Sequence, residues 1–287
     1  MKGRTDPMEA EHFTALAAIW DQQAEAMDAA MGAHSAAARL ALAARPGERI
    51  VDLGCGPGLS AVALGAETGA DGWVAAVDIS AEMTEAAGRR LAAAGVHGAA
   101  VTADAGTADL VDVAGRGAPF DAVHSRFGLM FFPDPGAAFA NIRRALRPGG
   151  RLAASVWQHL NDNPWLELTT ATATQILGVD RPPLSAPNTP GPFSMADRDA
   201  DERLLARAGF VDVVIEPVNS PFIFAGDGYA AAERVLSAGP LGAAFAGAEE
   251  SRRRDVVSGV VAALERHRGP AGLEVPAASW LITAQRP

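Results

Sequence analysis

The chain has 287 residues, 49% of them hydrophobic and 20% charged, with 34 acidic side chains against 24 basic ones for a net charge of −10. That composition excludes a disordered or collagen-like chain. Its acidic balance makes a phosphate backbone a poor partner, so no nucleic acid is expected. Cys55 is the single cysteine and Lys2 the single lysine beside 23 arginines. This leaves no intramolecular disulfide, no multi-cysteine metal site and no lysine in an ordered core for phosphate cradling or Schiff-base chemistry.

No apolar run approaches the roughly 20 residues of a membrane helix, and the stretch from Met1 to Phe13 lacks a targeting pattern. A soluble, cytoplasmic chain without a membrane partner is expected. The length allows one large or two small domains. With no internal repeat and no low-complexity linker, a single domain with insertions is favoured.

From the N-terminus, Phe13, Leu16, Trp20, Ala24, Met27 and Met31 recur at spacings of three and four, the signature of one helical face. Gly32 interrupts it, and Ser35 is expected to cap a second helix ending before Arg45-Pro46-Gly47. The period then changes. Arg49–Leu53 reads as a strand, followed by a glycine loop and a helix reaching Gly69. Trp73–Val77 is the next strand, stopping at Asp78, and Ser80 can cap the helix after it. Ala99–Ala103 and Phe120–Ser125 are the third and fourth strands. Pro135–Leu146 is a helix, and Arg151–Trp157 the fifth strand. Strands alternating with helices at this spacing predict βαβ units and a doubly wound, Rossmann-like α/β sheet.

After Trp157 the rhythm breaks. Residues 158–180 and 226–268 read as helical, the latter with a break at Gly239-Pro240. The proline-rich stretch 181–193 reads as an irregular crossing, and Asp197–Ala208 as a helix. Phe210–Glu216 and Pro276–Gln285 are the last two strands, expected to pair antiparallel because little chain remains for a crossover.

Asp52-Leu-Gly-Cys-Gly-Pro-Gly58 lies between a strand and a helix, where Gly54 and Gly56 let a ligand approach the backbone. Asp78, at the end of the second strand, can accept two hydrogen bonds from a ribose diol. A dinucleotide fingerprint would place its third glycine at position 59, which is Leu59 here. Asp52 brings negative charge toward the loop, which suits a cationic ligand end better than a pyrophosphate.

These residues resemble the class I S-adenosylmethionine-dependent methyltransferases. Glu48–Gly58 is similar to the family's first motif, Asp78-Ile79 to its second strand end, Asp104-Ala105 to its third, and Phe120–Val123 with Leu146–Gly150 to its fourth strand and the turn before the fifth. Trp20, Phe127–Phe132 and Asn163-Pro-Trp165 resemble a bacterial branch related to quinone-biosynthesis and natural-product enzymes. The resemblance implies a seven-stranded sheet, its last strand antiparallel, in a single domain. Residues 1–46 would be an N-terminal helical lid, 47–157 the cofactor-binding core, and 158–287 the half with inserted helices.

It also implies roles. S-adenosylmethionine would be held by Asp52, Gly54, Cys55, Gly56, Asp78, Ile79, Met83, Asp104, Ala105, Ser125 and Trp20. Asp78 would take the ribose hydroxyls, Ile79 and Met83 the adenine ring, Asp104 the adenine amine, and Ser125 would lie beside the sulfonium. By position alone, Asp104 can instead cap the segment after it, and the spacing of Ile79 and Met83 alone favours core. Cys55 reads as a small filler, since no histidine lies near it in the motif.

Methyl transfer needs alignment more than a fixed catalytic group, and a base only where the acceptor must lose a proton. His159, just past the fifth strand, is the leading candidate, followed by His124 and Arg126 at the end of the fourth. The alternatives are a packing histidine at 124 and an ion-paired arginine at 126. Asp162 and Asn163 do not make a cation cage, so no metal is expected. Trp20, Met27, Met31, Trp157, Trp165, Phe193, Phe222, Phe224 and Trp280 are candidates to line an apolar pocket for an apolar or aromatic small-molecule acceptor. A cofactor-binding protein or pericyclic catalyst without methyl transfer, and an NAD(P)-dependent oxidoreductase, are the competing readings. The oligomeric state is left open.

Overall fold

The computed structural model describes residues 7–113, 119–184 and 189–287. The side chains of Phe13 and Leu16, and Pro187 in the crossing, lie outside the described residues.

Two helices, α1 (Pro7–Met31) and α2 (Ala33–Leu42), precede the sheet. Gly32, at φ +49°, separates them. Ser35 is not the cap: it lies inside α2, and its hydroxyl accepts from Arg126. The β/α alternation then runs β1 (Arg49–Leu53), α3 (Leu59–Thr68), β2 (Trp73–Asp78), α4 (Ala81–Ala93), β3 (Gly98–Thr102), a single turn α5 (Leu110–Val113), β4 (Phe120–Arg126), α6 (Pro135–Ala145) and β5 (Leu146–Trp157). The helix starts follow from local chemistry. Ser80 Oγ accepts from Met83 N at the head of α4, and Asp134 does the same for Ala137 N at the head of α6, where Pro135 occupies the first turn.

The second half contains α7 (Pro164–Leu177), α8 (Arg198–Arg207), β6 (Val211–Ala225), α9 (Tyr229–Ala238), α10 (Gly242–Gly247), α11 (Glu250–Leu264), a two-residue β7 (Arg268–Gly269) and β8 (Gly272–Gln285). The strand order is β3-β2-β1-β4-β5-β8-β6, with β7 paired to β8 off this path. The path therefore has the seven expected strands. β1 to β5 are mutually parallel, and β8 runs antiparallel to both β5 and β6.

β6 and β8 are longer than expected. Pro217 and Pro221 lie within β6, in register opposite Trp280 and Pro276. They are tolerated because β6 is an edge strand, where the missing N–H need not serve a second neighbour. The hairpin thus runs past the end of β5, whose last registered pair is Trp157 with Ser279. α7 packs on β8, and α9 on β6, α1 and α11.

Apolar residues cover both faces of the sheet. Ile50, Val74, Ala76 and Ala122 pack under α2, α3 and α4; Val51, Val77, Val123 and Leu152 join Phe139 and Ile142 of α6 on the other. Arg151 clasps α2 to β5. Its Nη1 and Nη2 bond the two Glu48 carboxylate oxygens at 2.8 and 2.7 Å, while its Nε donates to Leu42 O. Among the described residues no helix is long and apolar enough to cross a membrane.

Candidate active site

Strand order reverses between β1 and β4, and a crevice opens there at the carboxyl ends of the strands. Its floor is backbone. Gly54, at φ +64°, is pressed against the chain that leaves β4: a Cβ at Gly54 would lie 2.9 Å from Gly128 Cα, and one at Gly128 would lie 2.8 Å from Leu53 O. Only two glycines allow this crossing. Asp78 closes the floor. Its Oδ2 accepts from Gly56 N at 2.9 Å and its Oδ1 from Ser80 N at 3.0 Å. Burial pushes its carboxyl above the usual range, although the Ser80 and Gly56 N–H groups oppose that shift. Asp104 lies one strand further on, where Oδ1 accepts from Gly106 N and Oδ2 from Thr107 Oγ1.

From this floor a cavity of about 420 Å³ extends toward the β6–β8 hairpin. One wall is a chain of aromatic rings. Phe127 stacks on Trp157 at 4.2 Å between centroids, Trp157 meets Trp165 at 5.4 Å, and Trp165 stacks on Phe222 at 4.3 Å. Phe127 is held at φ +58°, a conformation uncommon for a bulky residue. His34 backs Trp157 at 5.3 Å. Its Nδ1 pairs with Ser279 Oγ and its Nε2 with Ser220 O, while burial pushes its pKa down. The Ser220 carbonyl needs a donor, which assigns the proton to Nε2. α1 roofs the cavity with Trp20, Met27 and Met31. Asp21 ties α1 to α4 by ion pairs with Arg89 and Arg90.

Of the expected cofactor residues, Trp20, Gly54, Cys55, Gly56, Asp78, Ile79, Met83, Asp104 and Ala105 all line this one cavity, as does Arg126. Asp104 also serves as the local cap that was the alternative reading. Cys55 is buried, and burial, then the Asp78 and Asp52 charges, pushes its thiol well above the ordinary range, so it is no nucleophile.

Asp52, His124 and Ser125 are not part of the lining. Asp52 and His124 sit in register inside the sheet and are fully buried, His124 Nδ1 2.7 Å from Asp52 Oδ1. They lie two residues short of the rim that Arg126 reaches. Ser125 points to the other face and donates to Leu53 O at 2.7 Å, bracing the glycine crossing. His159 is exposed and absent from the lining. β5 ends at Trp157, and the chain turns outward into a 3₁₀ turn at Leu160–Asp162.

Asn163 is fully buried as a structural junction. Its Nδ2 donates to Ala278 O, and its Oδ1 accepts from Ala278 N and Trp165 Nε1. Among the described residues no group of three His, Cys, Asp or Glu is placed to hold a metal ion. Of the expected aromatic liners, Trp20, Trp157, Trp165 and Phe222 take part, together with Met27 and Met31. Phe193 and Phe224 are core, and Trp280 donates its Nε1 to Ala196 O. The sequence offered no sign that Val235 and Gly239-Pro240, at the end of α9, would complete the wall.

A crevice at the switch point, with a side-chain-free floor and strand-end aspartates at its far side, fits a nucleoside carrying an amino-acid tail. A Cβ at Gly56 would meet nothing within 4 Å, so the loop leaves open space there, and Asp78 keeps lone pairs for a diol. That combination, on a sheet whose β8 runs antiparallel to both its neighbours, resembles the class I S-adenosylmethionine-dependent methyltransferases. Residues 50–150 match the family described as "Methyltransferase domain".

A curated relative is the 2-phytyl-1,4-naphtoquinone methyltransferase of Synechococcus elongatus, 32% identical over 144 residues, which are 49% of this chain and 60% of that protein. The trans-aconitate 2-methyltransferase of Rhizobium etli is 30% identical over 180 residues, 60% of this chain and 62% of that one. The chain thus matches less than two thirds of the length of these relatives. Among solved structures, phosphoethanolamine N-methyltransferase 2 of Haemonchus contortus, in complex with S-adenosyl-L-methionine, superposes with a TM-score of 0.52 at 17% identity, over 95% of this chain and 60% of that one. At that identity the likeness is one of fold.

Proposed function

We propose that the protein transfers a methyl group from S-adenosylmethionine to an apolar or aromatic small molecule at O, N or C. The carrying observation is a single cavity that joins the glycine floor to the aromatic wall, so that donor and acceptor would share one space. In this reading the chain is a single domain, with residues 1–46 and the helices after β5 as its lid.

When bound, the cofactor supplies a methyl group already activated on a sulfonium. The chain's own work is placement. Asp78 would accept from the ribose hydroxyls, Ile79 and Met83 would flank the adenine, and Asp104 and Ala105 would face its edge. The Gly54–Gly56 backbone would pass beside the methionine part. The faces of Phe127, Trp157, Trp165 and Phe222 would stack on a planar acceptor and exclude water. Orientation of this kind contributes roughly 7–11 kcal/mol in well-fixed systems.

The ionisable side chains among the described lining residues are Cys55, Asp78, Asp104, Asp134 and Arg126. Each of the three carboxylates is engaged by a backbone N–H. This favours an acceptor that is already nucleophilic, such as an ionised oxygen, or an electron-rich ring carbon whose proton passes to water after the methyl arrives. The relatives named for a naphthoquinone and for trans-aconitate are in keeping with a small-molecule acceptor.

Isothermal titration with S-adenosylhomocysteine tests the cofactor site, and no binding by the folded protein sinks the proposal. Isotope-labelled S-adenosylmethionine with 1-naphthol, 1,4-naphthoquinol and 1-naphthoate, read by mass spectrometry, tests the transfer.

A further inference from the structure

Arg126 is the one cation among the described residues that line the cavity. Its Nη1 is fully used, bonding Asp28 Oδ1 at 2.9 Å and Ser35 Oγ at 3.0 Å. A guanidinium has five N–H donors. The remaining three, on Nε and Nη2, have no partner among the described residues. The side chain is 14% exposed and lines the cavity, where these donors are open to an acceptor. Nε and Nη2 form the flat two-pronged edge that takes a carboxylate through parallel bonds.

The location adds to this. Asp52 is in register with His124, which puts Gly54 level with Arg126 at the strand ends. The other charged groups of the lining are the carboxylates of Asp78, Asp104 and Asp134, which repel an anion. A carboxylate entering this cavity therefore has one place to go.

We propose that Arg126 is the carboxylate-binding residue of the cavity. Asp28 and Ser35 fix one end of the guanidinium, and the Nε–Nη2 edge grips a carboxylate of a bound molecule. This rests on the reading of the cavity as the site of S-adenosylmethionine and its acceptor. Two molecules can bring the group: the cofactor, through its amino-acid tail, or an acidic acceptor.

Titration calorimetry on the full chain separates these sources. S-adenosylhomocysteine is compared with 5′-methylthioadenosine, which keeps the nucleoside and thioether but lacks the carboxylate. On protein saturated with S-adenosylhomocysteine, 1-naphthoate is compared with 1-naphthamide. In Arg126→Gln, a carboxylate probe should lose tenfold or more in affinity while its uncharged counterpart binds as before, and Arg126→Lys should recover part of the loss. A loss confined to S-adenosylhomocysteine assigns the cofactor's tail, and a loss confined to 1-naphthoate assigns the acceptor.

Asp28 is 44% exposed, so leaving it unpaired costs little, and retained binding of 5′-methylthioadenosine reports an intact site. If Arg126→Gln binds both carboxylate probes as tightly as the parent, or loses charged and uncharged probes alike, the proposal is overturned. If the parent binds no S-adenosylhomocysteine, it is the underlying functional reading that fails.

Discussion

Three glycines with left-handed backbone separate the cost of conformation from the cost of crowding. Gly47 has φ +82° and Gly56 φ +52°, and a Cβ on either meets nothing within 4 Å. Gly54 has φ +64°, and its Cβ would lie 2.9 Å from the Gly128 backbone. A non-glycine residue in this region costs about 1–2 kcal/mol, so Gly47→Ala should lose that and nothing more. Gly54→Ala pays the same strain and must also push two loops apart, for which overpacking costs of about 1–3 kcal/mol apply. The sum, about 2–5 kcal/mol, corresponds to a fall in melting temperature of roughly 5–15 °C in a chain of this size. Affinity for S-adenosylhomocysteine should follow a different order. Gly47→Ala should leave it unchanged, Gly56→Ala should weaken it because the added methyl enters cavity space, and Gly54→Ala should weaken it at least tenfold because the floor itself moves. Circular dichroism melts and titration calorimetry on the three variants provide the data. If Gly54→Ala proves as mild as Gly47→Ala in both measurements, the backbone crossing does not shape the site.

Asp78→Asn should weaken S-adenosylhomocysteine binding tenfold or more, since bonds to a charged acceptor are worth about 1.5–3 kcal/mol each. Because burial raises the Asp78 carboxyl pKa and the ionised form accepts the bonds, affinity should fall on acidification from a higher pH than an ordinary carboxylate would give; a flat profile from pH 7 to about 4.5 contradicts this. Asp201, buried beside Asp197 in α8, is pushed up to about 7 by burial and then by the Asp197 charge. Its native pKa exceeds its unfolded value, so stability is lost as pH rises from about 4 to 7, by up to about 4 kcal/mol, and Asp201→Asn should raise the melting temperature at pH 8 but not at pH 4. Burial works against ionisation of Glu48, but the Arg151 fork and the Arg45 N–H hold its carboxyl below the usual range. Glu48→Gln should therefore cost about 1–3 kcal/mol at pH 7, a deficit that shrinks as the parent is taken below about pH 4.

The parallel half of the fold was legible because each element carried its own punctuation. β1 to β5 are short apolar runs, and the helices between them open on Ser80 or Asp134 and end near Gly69 or Gly95. The second half was legible only in outline. Pro217 and Pro221 deny β6 a place in the middle of a sheet but not at its edge, and edge position follows from pairing with β8, some sixty residues later. Gly32 took the break that Ser35 was expected to cap, because a glycine already at positive φ lets α2 start three residues sooner.

Gly54, Gly56, Asp78 and Asp104 line the cavity as expected, because such positions follow from local backbone freedom or from a strand-terminal carboxylate. What depends on depth within the sheet was not legible. Asp52, His124 and Arg126 share one face, since Asp52 faces His124 in register and strand alternation places Arg126 on the same side. Asp52 and His124 bury each other, while Arg126, two residues further along, reaches the cavity with part of its guanidinium uncommitted. No local pattern distinguishes these fates, because the position of the rim is set by where the neighbouring strands stop. His159 lies beyond the rim, where the chain has already turned toward solvent. A side chain at a strand end can therefore reach this ligand only within a window of about one pleat, roughly 3.3 Å per residue. Within that window on β4 and β5 stand Arg126, Phe127 and Trp157, one charge and two stacked rings, and these residues are where acceptor selectivity should be sought.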